Sequence, residues 1–558
     1  MTTMKQYKFL ALCALIAAAV SCDLTEKPSS FYEKDTYFDS STKARMAVMG
    51  IYDAISTTKH YGQYEMAIPS SDDTYYINGI ASDGTRRDIS HYMVTPTNTW
   101  LKDIWQLKYS AIDRASFAIA GIEGMAGYNE SAELKALVAE AKFLRAFLAF
   151  DLVRYWGDVP YKTTYSGGYS DAFQPRTPRE EIYDYIIDDL NFAKANLKSG
   201  AGLSPETPSK GAAHALMMRV LLQRAGYSLQ MDGTMTRPDD ATRKTYFDAV
   251  ITEWEALTEE GYHGFYDGGY LELFKSYSGL ILDSKESLWE IPFEPQGENF
   301  ADNEGKWATW NGPLVDAAGK GSDNSNFMGR ANAFFRVMPA WKNFFEDTDV
   351  RRDVMVCTYQ LKWSDALVNH EKKQQSNEKN WYPGKWRREW MPLGYVDLNN
   401  TGVNFCPLRY ADAVLMAAEA YNETGNTTKA LELINLVRAR SGATPITLDG
   451  NYAELMKAPK VYDLSFISDA DAQGKIRTIL YWERGFELAF EGQRKFDLIR
   501  WNVLGDALVL FQSKMSSKLK GLYIAGDNFV KGKHELFPIP LTELQANHKL
   551  ENKQNPGY

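Results

Sequence analysis

Cysteine is scarce, four residues in a chain of 558, which excludes a disulfide framework as the source of stability. The seven histidines, at positions 60, 91, 214, 263, 370, 534 and 548, include no pair four apart, so no helical zinc site is encoded. Positive charge is not in excess: 62 Lys and Arg against 72 Asp and Glu leave −10, which argues against nucleic acid as the principal partner. Long apolar runs are missing as well. Phe9 to Val20 is twelve residues, about 18 Å of helix against a hydrocarbon core of about 30 Å, which argues against a retained transmembrane span. Neither the phosphate-cradling G-x-x-x-x-G-K-[ST], the dinucleotide G-x-G-x-x-G nor the nucleophile elbow G-x-S-x-G occurs. Aromatic residues, by contrast, make up 13% of the chain, with 14 Trp and 33 Tyr, more large rings than core packing ordinarily demands.

The N-terminus reads as a leader. Lys5 and Lys8 precede the apolar run, and Ser21-Cys22 and the polar Asp23 to Pro28 follow it, the layout of an export signal over residues 1–21. Ala19-Val20-Ser21-Cys22 resembles the lipobox of bacterial lipoproteins, with Ala19 where Leu is usual, and the resemblance implies cleavage before Cys22 and its acylation. Ordinary secretory cleavage, with Cys22 incidental, is the alternative. Cleavage leaves Cys357 and Cys406 in the body of the chain. Two lysines and no acid leave with the leader, taking the net charge from −10 to −12. Anionic headgroups repel such a surface, so inserted acyl chains, at about 0.8 kcal/mol per buried methylene, are the route to a membrane.

Helical periodicity dominates the rest. It predicts helices over Ser41–Ser56, Trp100–Met125, Ala132–Tyr155, Pro178–Leu197, Lys210–Ala225 and Ala241–Glu259, and again over Leu408–Asn422, Thr427–Arg440, Lys475–Glu491 and Trp501–Lys520. Between Gly261 and Asn404 the period is lost in Gly-, Asn- and Trp-rich sequence that reads as loops. One pair fits the tetratricopeptide spacing: Ala417, Ala418 and Tyr421, then Gly425, then Ala430, Ile434 and Val437. Small residues let two helices approach closely, and Gly425 frees the backbone between them. Ala139 to Gly157 and Gly211 to Gly226 look like degenerate relatives of that unit. The expected fold is mainly α, a tetratricopeptide-like scaffold of helix pairs (an α-α superhelix) with a loop-rich irregular portion and few short strands. Five parts are expected: the leader at 1–21, a lipidated tether at 22–40, a helical region at 41–260, a loop-rich, ligand-binding region at 261–405, and a C-terminal region at 406–558 with the tetratricopeptide-like pair.

Several blocks occur in order. They are Ala139-Glu140-Ala141-Lys142-Phe143-Leu144-Arg145-Ala146 with Tyr155-Trp156-Gly157-Asp158-Val159-Pro160-Tyr161, then Lys210-Gly211-Ala212-Ala213, and Pro407 to Asp412 leading to Ala418-Glu419-Ala420. Ile434-Asn435 with Val437 to Gly442, Trp482 to Arg494 with Phe496-Asp497-Leu498, Phe537-Pro538-Ile539-Pro540, Asn547 and Gln554 to Tyr558 complete them. Together they resemble the SusD/RagB family of outer-membrane nutrient-binding lipoproteins, over nearly the whole chain. The resemblance implies a mostly helical protein of the Bacteroidetes cell surface that binds glycans, or peptides in the RagB branch. It also implies a SusC-like TonB-dependent outer-membrane transporter as partner, and no bond chemistry.

The most acidic block is the least attractive as a site. Glu483, Glu487 and Glu491 recur every four residues near Arg484 and Arg494, which reads as an ion-paired helix face that fixes packing. Sugar recognition asks instead for flat rings against pyranose C–H faces, with amides, carboxylates and guanidinium groups for the hydroxyls. Asp73, Tyr75, Tyr76, Asp83, Arg86, Asn98 and Trp100 form one such stretch. Trp307, Trp310 and Asn311 form a second within Asn299 to Arg330, and Trp386 stands in a third with Trp381, Tyr382, Arg387, Arg388 and Trp390. The family resemblance favours the first two regions. Trp307 and Trp310, three apart among Gly, Asn and Thr, are expected as exposed rings. Asp302-Asn303-Glu304-Gly305 and Asp323-Asn324-Ser325-Asn326 offer oxygens for structural calcium but complete no EF-hand pattern, so solvated loops without a cofactor or metal are expected. The function expected is non-catalytic capture of an oligosaccharide by a lipid-anchored protein on the outer face of the outer membrane, for delivery to the transporter. The rivals are a peptide or glycopeptide binder on the same scaffold and a glycan-cleaving enzyme, which would need two carboxylates about 5–9 Å apart across the sugar.

Overall fold

The computed structural model describes residues 37–558 except 77–78, 295–302, 317–327, 363–370, 375–376, 394–399, 457–468 and 552. The leader and the lipidation candidate Cys22 lie outside the described residues, as do Asp302 and 323–326.

Polar caps start most of the long helices. Side-chain oxygens of Ser40, Asn98, Ser131, Ser209, Asp239, Asn426 and Asp471 each accept an orphan backbone N–H of the first turn. The helices that follow these caps are α1 (Ser41–Ile55), α3 (Thr99–Glu123), α4 (Ala132–Trp156), α6 (Lys210–Ala225), α7 (Asp240–Glu259), α11 (Thr427–Arg440) and α12 (Ala472–Leu488). Short α2 (Arg86–Ser90), α5 (Arg179–Asn196), α8 (Gly269–Ser278), the single turn α9 (Trp307–Trp310), α10 (Tyr410–Glu423), α13 (Arg494–Arg500) and α14 (Leu504–Ser513) complete the set used below. The fold is mostly helical with few short strands.

The helices pack as a row of pairs. α1 lies on α3, α3 on α4, α4 on α5, α5 on α6, and α6 on α7, while α7 and α6 reach α10, which pairs with α11 and rests on α12. α4 is the axis of the first half: from Leu137 to Trp156 every residue but Lys142 is buried, as befits a helix covered on all sides. The tetratricopeptide spacing holds in α10 and α11. Ala417, Ala418, Ala430, Ile434 and Val437 are all fully buried, and Gly425 between the helices takes φ +92°, a left-handed backbone that L side chains rarely adopt. The main hydrophobic core of the described residues runs from Ala44 to Leu550, with two small clusters beside it around Val315 and Tyr382.

Two predicted helices end differently. The pattern over Trp501–Lys520 breaks into α14 and a short turn at Ser517–Lys520, because Trp501 closes α13 and Asn502 turns left-handed at φ +61°. The helix predicted to reach Glu491 stops at Leu488, since Ala489 is extended and Phe490 sits at φ +67°. Glu491 therefore leaves the helical face shared by Glu483 and Glu487. The region expected as loops holds α8, missed by periodicity, and short strands. β1 (Thr74–Tyr76) pairs antiparallel with β3 (Phe335–Val337), and β2 (Ser287–Ile291) with β4 (Phe405–Arg409).

The three glutamates are ion-paired, but with partners from distant segments. Glu487 meets Arg409 at 2.7 Å, Arg351 at 3.2 Å, and Arg440. Glu483 meets Arg351 at 2.5 Å and Arg438 at 2.8 Å, and Glu491 meets Lys385 and, at 2.9 Å, Arg409. Burial pushes the Glu487 carboxyl up, but Arg440, Arg409 and Arg351 outweigh it and hold the group well below the usual carboxylate range. Asp412 behaves likewise: burial raises it, and Arg484 and Arg219 bring it down to about 2.

Removing Glu487 leaves Arg351, Arg409 and Arg440 each short of one buried acceptor although Glu483, Glu491 and Glu286 remain, and breaking a buried pair costs about 3–5 kcal/mol. Glu487→Gln is expected to lose that much in denaturant unfolding. Because these carboxylates are depressed in the folded state, the unfolded chain takes up protons first on acidification. Wild-type stability is therefore whole above about pH 4.5 and falls away toward pH 2, with a shallower fall in the variant.

Candidate functional site

Two of the three candidate stretches meet. In the β1–β3 ladder Tyr76 stands opposite Phe335, which sets Phe334 beside Tyr76 with ring centroids 5.9 Å apart and planes 12° from parallel. The backbone N–H of Tyr76 donates to Ser90 Oγ at 3.2 Å, and its carbonyl is 2.7 Å from His91 Nε2, so the strand is locked to α2.

The corner between α2 and α3 fixes two further groups. Asp83 accepts the N–H groups of Thr85 and Arg87, and Asp88 accepts those of Asp83 and Gly84. Asn98 caps α3 by accepting from Trp100 and Leu101, both at 3.1 Å, and donates to the Thr85 carbonyl at 2.9 Å. Arg86, the first residue of α2, is thereby held near Trp100, the second of α3.

The second stretch is brought in by a close backbone contact. Lys306 N–H donates to the Gly62 carbonyl at 2.9 Å. A Cβ on Gly62 would stand 2.8 Å from the Glu304 carbonyl oxygen, so only glycine allows this approach. Trp307 anchors the segment: its indole N–H donates to the Tyr61 carbonyl at 3.1 Å, and its ring lies flat on Phe405 at 4.3 Å. Trp310, at the other end of α9, reaches Phe334 at 4.2 Å and Trp100 at 6.0 Å.

The product is a ring cluster centred on a cation. The Arg86 guanidinium lies 4.7 Å from the Phe334 centroid, 5.0 Å from Trp310, 5.1 Å from Tyr76 and 5.5 Å from Trp100, within cation–π range of all four. Tyr64 stacks on Trp100 at 3.9 Å, with planes 6° apart. Tyr64, Arg86 and Phe334 are half-buried, whereas Tyr76, Trp100 and Trp310 are buried behind them. Burial and Asp103 push the Tyr64 phenol up while Arg86 pulls it down, with a net rise that keeps it a hydrogen-bond donor. A partly open ring surface with a guanidinium and a phenol can stack on a sugar ring and bond its polar groups.

The remaining candidates serve packing. Asp73 is buried and accepts from Ser71 and from the backbone of Phe490, each at 3.0 Å; burial and the adjacent Asp72 push its carboxyl up to about 6. Tyr75 is buried edge-on against Tyr523. The expectation of exposed rings at both tryptophans of the second stretch is corrected: Trp307 is 2% and Trp310 6% exposed, because Phe405, Trp386 and Phe334 arrive from far along the chain. Asn311, next to Trp310, is buried too. Trp386 is buried between Phe274 and Trp307, beneath the ring cluster rather than in it. Glu304, read as solvated, is buried and accepts from Asn400. Among the described residues no group of three His, Cys, Asp or Glu is placed to hold a metal ion.

Tyr64 and Phe334 were missed. Each has a second aromatic close by, three residues away in Tyr61-Gly62-Gln63-Tyr64 and adjacent in Phe334-Phe335, a signal too common to single them out. Cavities lie elsewhere on the described surface. One of 330 Å³ has Trp105, Tyr109, Tyr161 and Phe173 in its wall, and one of 620 Å³ is lined by Arg243, Arg477 and Glu423.

Residues 286–558 match the model of the SusD family, and residues 24–222 match a model described as starch-binding associating with outer membrane. SusD-like protein P2 of Formosa agariphila is 25% identical, each chain covered in full. The crystal structure of a SusD homolog from Bacteroides thetaiotaomicron superposes with a TM-score of 0.76 at 25% identity, covering 94% of this chain and 98% of that one. Surface glycan-binding protein A from Bacteroides thetaiotaomicron, in complex with laminarihexaose, does so with a TM-score of 0.65 at 17% identity, covering 92% and 99%. Among the described residues no helix is long and apolar enough to cross a membrane.

Trp307 and the ring surface are separable by experiment. Trp307→Ala empties a filled core site and is expected to cost about 3–5 kcal/mol in denaturant unfolding, whereas Tyr64→Ala, at a half-buried ring, costs markedly less.

Proposed function

The chain belongs to the SusD family, and from that premise we propose that it is a surface glycan-binding lipoprotein. It captures an oligosaccharide on the Arg86 ring cluster and passes it to a SusC-like TonB-dependent outer-membrane transporter. The single observation that carries this reading is the convergence of Tyr76, Trp100, Trp310 and Phe334 around one guanidinium, with Tyr64 stacked on Trp100, from segments up to 270 residues apart in sequence. Stacked rings with polar groups at their edge suit a pyranose, whose faces are apolar and whose rim is not. The laminarihexaose complex of a protein with the same fold supports the choice of glycan over peptide.

No bond chemistry is assigned to the site. The carboxylates in its supporting turns, Asp73, Asp83 and Asp88, accept hydrogen bonds from the backbone and hold the turns in shape. Anchoring is assigned to acylation of Cys22, in keeping with the leader pattern and with a family description that names the outer membrane.

Two measurements test this. In native gels containing polysaccharide, the mature protein is expected to be retarded without releasing reducing ends, and the Tyr64→Ala, Phe334→Ala double variant to run unretarded with unchanged circular dichroism. Reducing-end release would replace the binding assignment with catalysis. Cys22→Ala is expected to move the protein from the membrane fraction to the soluble one; retention there would refute the lipid anchor.

A further inference from the structure

Arg86 differs from the arginines of the buried ionic network in having no anion. Arg351, Arg409, Arg438, Arg440, Arg484, Arg494 and Arg500 each lie within 3 Å of a carboxylate. The Arg86 side chain makes no hydrogen bond and no ion pair to any described residue; its Nε is buried without a partner. The residue is half-buried, so the terminal nitrogens are the part that meets solvent.

The acids nearest in sequence are already engaged. Asp83 and Asp88 hold the backbone of the turn, and Asp103 pairs with Lys102 at 3.4 Å. Four rings offset part of the desolvation of the Arg86 charge, but a ring quadrupole supplies no acceptor for the N–H groups. The adjacent Arg87 adds a second positive charge, its guanidinium 5.8 Å from the Tyr76 ring and bonded to the Ala81 carbonyl. The ring cluster thus presents to solvent a guanidinium whose N–H groups have no acceptor among the described residues.

Resting on the glycan-binding reading above, we propose that the ligand is an acidic glycan, one bearing carboxylate or sulfate groups, and that Arg86 selects it. A guanidinium presents parallel N–H donors that match a planar carboxylate or two sulfate oxygens, and such charge-assisted bonds are about twice as strong as those to neutral hydroxyls. Sugar rings stack on Tyr64 and Phe334 while the anionic substituent closes the open side of Arg86.

Calorimetric titration of the mature protein with an oligogalacturonate, a sulfated galactan oligosaccharide and laminarihexaose, at low and at physiological salt, tests this. One acidic oligosaccharide is expected to bind about tenfold or more tighter than laminarihexaose and to weaken several-fold with added salt, as exposed charge pairs do. Which of the two binds tells carboxylate from sulfate. Arg86→Gln is expected to abolish the preference, and Arg86→Lys, which keeps the charge but not the fork, to retain part of it. If Arg86→Gln does not fold, the wild-type salt dependence and the lysine variant still decide. Laminarihexaose bound as tightly as either acid, or acid binding indifferent to salt, would overturn the proposal and leave the glycan-binding reading standing. Failure of all three to bind would sink both.

Discussion

A carboxylate that stays ionised in a protein interior needs compensating cations beside it, and Glu487 has three of them, from residues 351, 409 and 440. None is a helical neighbour. Each belongs to a segment that has to be delivered to this point, so the network around α12 fixes where the irregular middle of the chain runs. The turn after α12 extends the same constraint. Arg494 clasps Asp72 through two bonds of 2.8 and 2.9 Å, and the strained Phe490 backbone is held by Asp73. Asp72 and Asp73 lead directly into β1, so the strand that carries Tyr76 is anchored to the C-terminal third. The ring cluster depends on this ionic frame although no ring touches it.

The same economy explains the family blocks. Glu140 receives Tyr52 at 2.8 Å and Arg45 at 2.6 Å, tying α4 to α1, and Arg145 grips Asp189 of α5 through two bonds of 2.7 and 2.8 Å. At the end of α4 the Trp156 indole donates to the Pro538 carbonyl, and Asn555 donates to the carbonyls of Trp156 and Phe537. The C-terminal block is thus a strap across the start of the helix row. Charged clusters of this kind resemble active sites in sequence, yet the charges named here are paired inside the protein. Buried ion pairs of this sort contribute little net stability but penalise any misplaced segment heavily, which suits a fold whose loops have few strands to align them.

Helices were legible because their signals are local: a cap, a 3.6-residue period and a stop within one segment. α4, α6 and α11 begin where Ser131, Ser209 and Asn426 place them, and the α10–α11 turn was readable from Gly425 and its flanking alanines. The role of Glu483 and Glu487 was legible as packing, but their partners were not, since Arg351 lies 132 and 136 residues away and no period links such positions. Trp307 misled for the same reason. Its sequence neighbours are polar and small, while the ring that covers it, Phe405, belongs to a strand 98 positions on. The first stretch yielded Tyr76, Arg86 and Trp100 because a turn and a helix start keep them close, whereas Tyr64 and Phe334 join only through tertiary contacts.

The account turns on the ring surface around Arg86 being the place where sugar sits. A crystal structure of the mature protein with a bound oligosaccharide tests that most directly. The prediction is a pyranose lying against Tyr64 and Phe334 with a polar substituent within hydrogen-bond distance of the Arg86 guanidinium. Sugar density in the 330 Å³ cavity walled by Trp105 and Phe173, with the Arg86 surface bare, would contradict it.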